Sequence, residues 1–476
     1  MKTYLKLFLF LCINLFPFLA YAQSLTFGGV YGAGAKIMEV DGEGNTYLSG
    51  FITEEAKIGD FFIKEKDGKY FLTKINKNGE VKWVKSFPVN IQDITIIKDA
   101  NIIVAGQFRE QITIDNQQLI SKNNFDVFLA SFNTDGQLIW TQQISGTDEV
   151  LIKSLDKDSK GNIYLTGNFT GSIHFPNQIM KNLQAKNIYL AKYSSEGKYI
   201  WAKQATGGNN LFTGIHVWKN IIDNSDNVIL VGTIIGQASF ENQKIMSSHE
   251  LFYGEGWVYN ADVFIAKYSP EGNLFWAKNV AHNTDVTDIT CDSEKNIYIT
   301  GYIRGSQNLS NKSKFGIAYF GKQSVKVNPT KNTQAIETVF VAKYSVAGNI
   351  SWVKTIVGKG SSRASKILYD IKNKKILLCG FFQGELKNND MILESSNEYL
   401  KVDVFLATFD LNGNLEQLAQ GYGDETEEIA DAKFDKNNQL LIIGRFKRLF
   451  KIYDFILQTD GNSSNGFWAK IKIQKE

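Results

Sequence analysis

Asn162-Ile163-Tyr164-Leu165-Thr166-Gly167-Asn168-Phe169 is a run of β-branched, aromatic and aliphatic residues interrupted by one glycine. Such a run reads as a strand. The pattern returns at Gly50, Gly106, Gly232, Gly301, Gly380 and Gly444, so one unit recurs seven times. The copies fall at approximately 33–87, 88–146, 147–207, 208–281, 282–358, 359–423 and 424–476, the last taken together with 23–31. A chain of this length normally divides into several cores, unless it repeats a small unit that packs on its neighbours. The repeats therefore make 23–476 a single domain.

Downstream of the glycine comes a second strand signature: Val127-Phe128-Leu129-Ala130, Ile188-Tyr189-Leu190-Ala191, Val263-Phe264-Ile265-Ala266, Val339-Phe340-Val341-Ala342 and Val404-Phe405-Leu406-Ala407. A turn glycine and then a tryptophan follow at fixed spacing, as in Ala130, Gly136, Trp140 and in Ala191, Gly197, Trp201. Short polar stretches such as Thr134-Asp135-Gly136 and Asp158-Ser159-Lys160-Gly161-Asn162 supply hairpin turns. Each unit is then a four-strand antiparallel meander. Its third strand is apolar at consecutive positions, so both faces of the sheet must be covered. No stretch has sustained helical periodicity, which leaves neighbouring sheets to do the covering. The tryptophans read as wedges between them, each stabilising by about 3 kcal/mol if fully buried.

The seventh copy reaches Phe467-Trp468-Ala469-Lys470, a third strand with no turn glycine after it, while Leu25, Phe27 and Val30 form an apolar segment ahead of copy one. The expected fold is all-β: a seven-bladed β-propeller of four-stranded antiparallel blades, its ring closed by the N-terminal strand completing blade seven.

The unit running from Gly161 through Gly167 to Phe175 resembles the bacterial β-propeller repeat known as SBBP. The resemblance covers nearly all of the chain after its leader and implies a secreted or cell-surface propeller without an assigned reaction. The Ala, Gly, Trp spacing is also similar to the docking motif of quinoprotein propellers. The acidic residue that those motifs place two after the alanine is here Phe132, Tyr193, Tyr268 or Tyr344, which argues against quinone chemistry, and Gln417 replaces tryptophan in the sixth copy.

Long insertions fall only on the face that carries the connections between strands two and three and between units. The first, 236–261, holds Phe252, Tyr253, Trp257 and Tyr259; the second, 304–336, holds Phe315, Tyr319 and Phe320 among lysines. Flat rings interleaved with polar groups suit a glycan or a protein surface, and a satellite core that pins the loops is the competing use of the same residues. Connections between units add Asp148, Asp285, Arg363, Asp424 and Glu425 near the expected ring mouth, where paired carboxylates would serve glycoside cleavage at a suitable separation. The four histidines show no metal spacing. Asp156-Lys157-Asp158-Ser159-Lys160-Gly161 has the start of a calcium loop without its distal glutamate, and reads as a hairpin. No catalytic residue, metal or cofactor is expected.

Lys2, Lys6, the apolar run 7–19 and Ala20-Tyr21-Ala22 have the layout of a cleavable secretory signal over 1–22. Beyond that leader remain Cys291 and Cys379, too few for a disulfide framework. Fifty-two basic against 49 acidic residues leave a net charge of +3 and no field to recruit nucleic acid. No later stretch is long and apolar enough for a transmembrane helix. These features describe a secreted, periplasmic or surface-bound monomer that recognises an extracellular or periplasmic protein or glycan through its inserted loops. A polysaccharide-active lyase or hydrolase with its site at the ring mouth is the alternative, and an electron-transfer quinoprotein the third reading.

Overall fold

The computed structural model describes residues 23–27, 33–97, 101–121, 123–208, 214–247, 250–253, 256–259, 261–305, 316–327, 336–388, 391–395, 401–423, 427–453, 455–459 and 464–471. The leader at 1–22 lies outside them. Among the described residues the only helical element is a 3-10 turn at Glu65–Asp67; the protein is all-β and of the β-propeller kind.

In the first repeat Ala33–Val40, Thr46–Ile52, Tyr70–Ile75 and Val81–Phe87 pair in chain order as an antiparallel meander. The same order recurs from Ile91–Ile96 to Leu138–Gly146, from Val150–Lys157 to Tyr199–Thr206, from Gly214–Ile222 to Leu274–His282, from Thr284–Cys291 to Ile350–Lys359 and from Ser362–Asp370 to Leu415–Gly423. In the last repeat Glu428–Phe434, Leu440–Lys447 and Ser464–Ile471 are followed by Gln23–Phe27 as the edge strand, with Leu25 opposite Trp468.

The consecutive apolar residues of strand three are covered on both faces: Val127, Phe128, Leu129 and Ala130 have no exposed surface. Each apolar cluster draws on two successive repeats, as Leu129 with Leu165 and Tyr189 does. One cluster joins Leu48 and Phe71 of the first repeat to Leu441, Ile443 and Trp468 of the last.

The repeat glycine has a steric cause. A Cβ on Gly167 would lie 1.8 Å from the Leu151 carbonyl oxygen, and one on Gly444 1.8 Å from that of Glu428. Strand one bulges beside this contact, between Ile152 and Ser154 and between Ile429 and Asp431. The same bulge follows Ala35, Ile91, Val217, Val286 and Ala364. A bulge extrudes one residue and re-aims those beyond it.

The tryptophans sit between repeats, but half-buried rather than fully buried as the sequence suggested. Each lies over the turn glycine of the next unit: a Cβ on Gly136, a turn residue at φ 78°, would meet the Trp83 ring at 3.1 Å. Trp83 Nε1 also donates to the Thr134 carbonyl there, at 3.0 Å. Half-burial follows from this geometry, because the ring caps a turn at the sheet's end instead of entering the apolar layer.

The inserted connections, expected from sequence as loops, contain strands. Gln237–Phe240 and Gln243–Met246 form a hairpin, as do Ile317–Phe320 and Gln323–Lys326. Such hairpins pair back onto strand four of the preceding repeat, Ala205 opposite Phe240 and His282 opposite Tyr319. They lace neighbours together on the outside while the apolar clusters do so within.

Replacing Gly167 by alanine forces the Leu151 carbonyl aside in a packed interior. The variant is expected to lose about 3 kcal/mol, at the upper end of overpacking costs, read as a lowered urea midpoint with unchanged slope. Alanine at Gly42, where an added Cβ meets nothing within 4 Å, serves as the control and should leave the midpoint within error.

Candidate functional site

First strands of all the repeats contribute to one axial cavity of about 180 Å3, lined by Glu39, Asp93, Asp156, Lys219, Asp288, Lys366, Asp431 and Lys433 among apolar neighbours. The bulge sets this lining: Asp93, Lys219, Asp288, Lys366 and Asp431 each stand immediately beyond it.

These charges are engaged. Asp93 Oδ2 accepts the Leu155 N–H at 2.7 Å and Asp156 Oδ2 the Ile222 N–H at 2.7 Å. Asp288 Oδ2 accepts that of Ile367 at 3.0 Å, and Asp431 Oδ2 that of Met38 at 2.9 Å. In every case a carboxylate on one first strand binds the backbone of another repeat's first strand. Three lysines complete the lining, Lys219 to Asp288 at 2.7 Å, Lys366 to Asp431 at 3.0 Å and Lys433 to Glu39 at 2.9 Å. Burial opposes ionisation of Glu39, but Lys433 and Lys157 outweigh it and hold the carboxyl low; for Asp288, Lys219 and Lys366 do the same. Among the described residues no lysine makes an ion pair with Asp93 or Asp156, and burial raises both despite their backbone bonds.

A cavity of this size takes a few waters rather than a sugar chain, since small-molecule sites run to roughly 300–1,000 Å3. On the face of the inserted connections, Asp285 pairs with Arg304 at 2.9 Å, and Arg363 pairs with Glu337. The Arg363 guanidinium lies 4.4 Å from the centre of the Tyr302 ring, and Arg304 donates to the Tyr302 hydroxyl at 3.1 Å. Burial raises the Asp285 carboxyl, with Arg304 opposing. The structure thus brings Asp285 and Arg363 into one cluster. Tyr302 and Glu337 were not singled out from sequence.

The other sequence candidates scatter. Asp148 is exposed in the third repeat and accepts a bond from Thr170 Oγ1 at 2.5 Å. Phe320 is fully buried and packs on Phe340, ring centres 5.0 Å apart, so it pins its hairpin; Tyr319 beside it is partly exposed. Phe252 and Trp257 are backbone register partners in the paired strands Glu250–Tyr253 and Gly256–Tyr259. The side chains of Phe252, Tyr253, Trp257 and Tyr259, and residues Phe315, Asp424 and Glu425 altogether, lie outside the described residues. The turn that resembled a calcium loop is filled by donors. Asp158 accepts the Lys160 and Asn162 N–H groups at 3.0 and 2.8 Å and pairs with Lys192 at 3.1 Å.

Because burial raises Asp93 and Asp156 above the unfolded value near 4, each contributes stability at low pH that is lost as pH rises through its folded pKa. Asp156→Asn keeps an acceptor for the Ile222 N–H and removes the charge. Its urea midpoint is expected to equal or exceed wild type at pH 8, with a smaller fall between pH 4 and 8, followed by tryptophan fluorescence.

No protein-family model matches the chain. An uncharacterised WD repeat-containing protein of Acanthamoeba polyphaga mimivirus is 25% identical over 280 residues, which is 52% of this chain and 19% of that protein's length. Similar solved structures include the Neurospora crassa Pan2 WD40 domain, 8% identical with a TM-score of 0.45 over 95% of this chain and 97% of that one. A streptogramin B lyase is 9% identical with a TM-score of 0.46 over 96% and 99%. The polysaccharide lyase Uly1 is 11% identical with a TM-score of 0.47 over 93% and 90%. Among the described residues no helix is long and apolar enough to cross a membrane. The strand pairings themselves carry the fold, a β-propeller whose first strands enclose a small charged axial cavity.

Proposed function

We propose that the chain is an extracytoplasmic binding scaffold, exported by the leader at 1–22 and folded as a seven-bladed propeller closed by Gln23–Phe27, which recognises a protein or glycan through the face of the inserted connections. Ring closure is supported by the pairing of Gln23–Phe27 with Ser464–Ile471 and by the Asp431 bond to Met38, which ties the last first strand to the first.

The observation that carries binding over catalysis is the engagement of the axial acids. Each bonds the backbone of another repeat or a lysine, which makes them bolts between repeats rather than a pair poised to donate and accept protons at a scissile bond. Meanwhile the inserted-connection face carries the long segments, the partly exposed Tyr319 and the Asp285, Arg304, Tyr302, Arg363 and Glu337 cluster. Surface loops on a rigid frame are where recognition usually resides, and Tyr and Arg are enriched among residues that dominate binding energy.

The test compares wild type with a Trp257→Ala, Tyr259→Ala, Tyr319→Ala variant on a glycan array and in pull-downs from extracellular and periplasmic fractions. Loss of a specific partner or glycan, at unchanged thermal midpoint, is the expected result. Unchanged capture would remove these loops from the binding face, and turnover of any polymer by wild type would put the lyase or hydrolase reading first.

A further inference from the structure

Between the third and fourth repeats, two extruded residues meet on the first strands that line the axial cavity. Lys153 and Trp218 stand at the bulges of adjacent first strands. Where the extruded residue is a hydroxyl it stitches neighbouring strands, Thr287 Oγ1 to the Ala364 carbonyl at 2.8 Å and Ser365 Oγ to that of Ile429 at 3.2 Å. Lys153 instead holds its ammonium 5.3 Å from the centre of the Trp218 ring. The His216 imidazole stacks alongside that ring at 6.4 Å and 20°. Lys186 joins them through the pairing of its backbone with Gly214, two residues before His216. Trp218 remains 43% exposed, and Lys186 is exposed.

Among the described residues the buried lysines face acids, Lys192 facing Asp158 at 3.1 Å, Lys267 facing Asp223 at 2.8 Å and Lys470 facing Asp435 at 2.8 Å. Here the charged neighbours, among the described residues, are basic. Burial and then Lys186 lower the Lys153 ammonium, and burial, Lys186 and Lys153 push His216 down to about 4. Among the described residues no carboxylate relieves either group. Like charges brought together beside an open ring form a site that an anion completes.

We propose that Lys153, Lys186 and Trp218 bind an acidic sugar, a uronate within an oligosaccharide, the two ammonium groups taking its carboxylate and the exposed part of the indole taking the apolar face of the pyranose. This rests on the binding reading of the same face and names a ligand class for it. A flat indole buries sugar C–H surface at low entropic cost, a recognition an acidic peptide does not need. The net charge of +3 gives no long-range pull on a polyanion such as nucleic acid, so selection is local.

Titration calorimetry of the whole chain with a hexamer of galacturonic acid, against cellohexaose of equal length, tests it. The acidic hexamer is expected to bind and the neutral one not, with affinity falling as salt rises. Lys186→Gln, an exposed change, and Trp218→Ala should each weaken binding about tenfold or more. The His216 ring protons, followed by NMR, should titrate at higher pH with the hexamer bound, because its carboxylate offsets the two lysines. Equal binding of both hexamers, unchanged affinity in Lys186→Gln, or equally tight hexaglutamate would overturn the site. If the acidic hexamer fails on wild type while the loop-dependent partner is still captured, this site falls and the scaffold reading stands. If uronate binding persists when the loop variant has lost nothing, the site stands and only the role of the loops falls.

Discussion

A carbonyl oxygen of strand one presses on the Cα of a glycine in strand two, and the axial architecture follows from that approach. At Gly50, Gly106, Gly232, Gly301 and Gly380 an added Cβ would lie 1.9–2.3 Å from that oxygen, closer than any side-chain-bearing residue tolerates. With the backbone drawn in, strand one accommodates an extra residue, and the following side chains turn to the axis. Charged groups that would be solvated on an ordinary sheet are thereby gathered around a cavity of about 180 Å3.

Their presence there has a mechanical reason. First strands are splayed around an axis and do not hydrogen-bond to each other as sheet neighbours, so some of their N–H groups need side-chain acceptors. Asp93, Asp156, Asp288 and Asp431 supply them. Lysines at Lys219, Lys366 and Lys433 then offset the desolvation of the acids they face. The bulge residues Lys153 and Trp218, by contrast, meet each other, the ammonium 5.3 Å from the centre of the ring.

The meanders were legible because each relies on local chemistry: positive-φ turn glycines, consecutive apolar residues on strand three, and the spacing from Ala130 through Gly136 to Trp140. The axial site was not. Asp93, Lys219, Asp288 and Asp431 occupy one fixed offset before their repeat glycines, but the offset carries both signs of charge, with Ile37 and Ser154 at the matching places, so it reads as surface variation until the strands are arranged in space. The hairpins inside the inserted connections were missed for a related reason. Four-residue strands such as Gln237–Phe240 are stabilised by pairing with another repeat, which periodicity within a single segment does not reveal. Phe320 illustrates the cost: aromatic and within an insertion, it resembles a ligand contact, yet it anchors a hairpin against Phe340.

Two departures from the tryptophan pattern reduce to one pairing. Trp352 lies over Gly413 of the next repeat and donates to the Leu411 carbonyl at 3.2 Å; the residue at the corresponding place in the sixth repeat is Gln417, whose side chain accepts from Thr408 Oγ1 at 3.3 Å. The turn that Gln417 would cover joins strands three and four of the seventh repeat. There Ser464–Ile471 pairs with Gln23–Phe27, a strand from the other end of the sequence, so among the described residues no turn glycine stands opposite for an indole to cap. Gly79 of the first repeat, conversely, has a turn to be covered and no tryptophan on Gln23–Phe27 to cover it. Trp468 reaches it from strand three, its ring 3.5 Å from where a Gly79 Cβ would stand and its Nε1 donating to Thr46 Oγ1 at 3.2 Å. The same ring-on-glycine contact is made from a different strand, and Trp468 is fully buried where its counterparts are half-exposed because strand three runs through the apolar layer that strand four only borders.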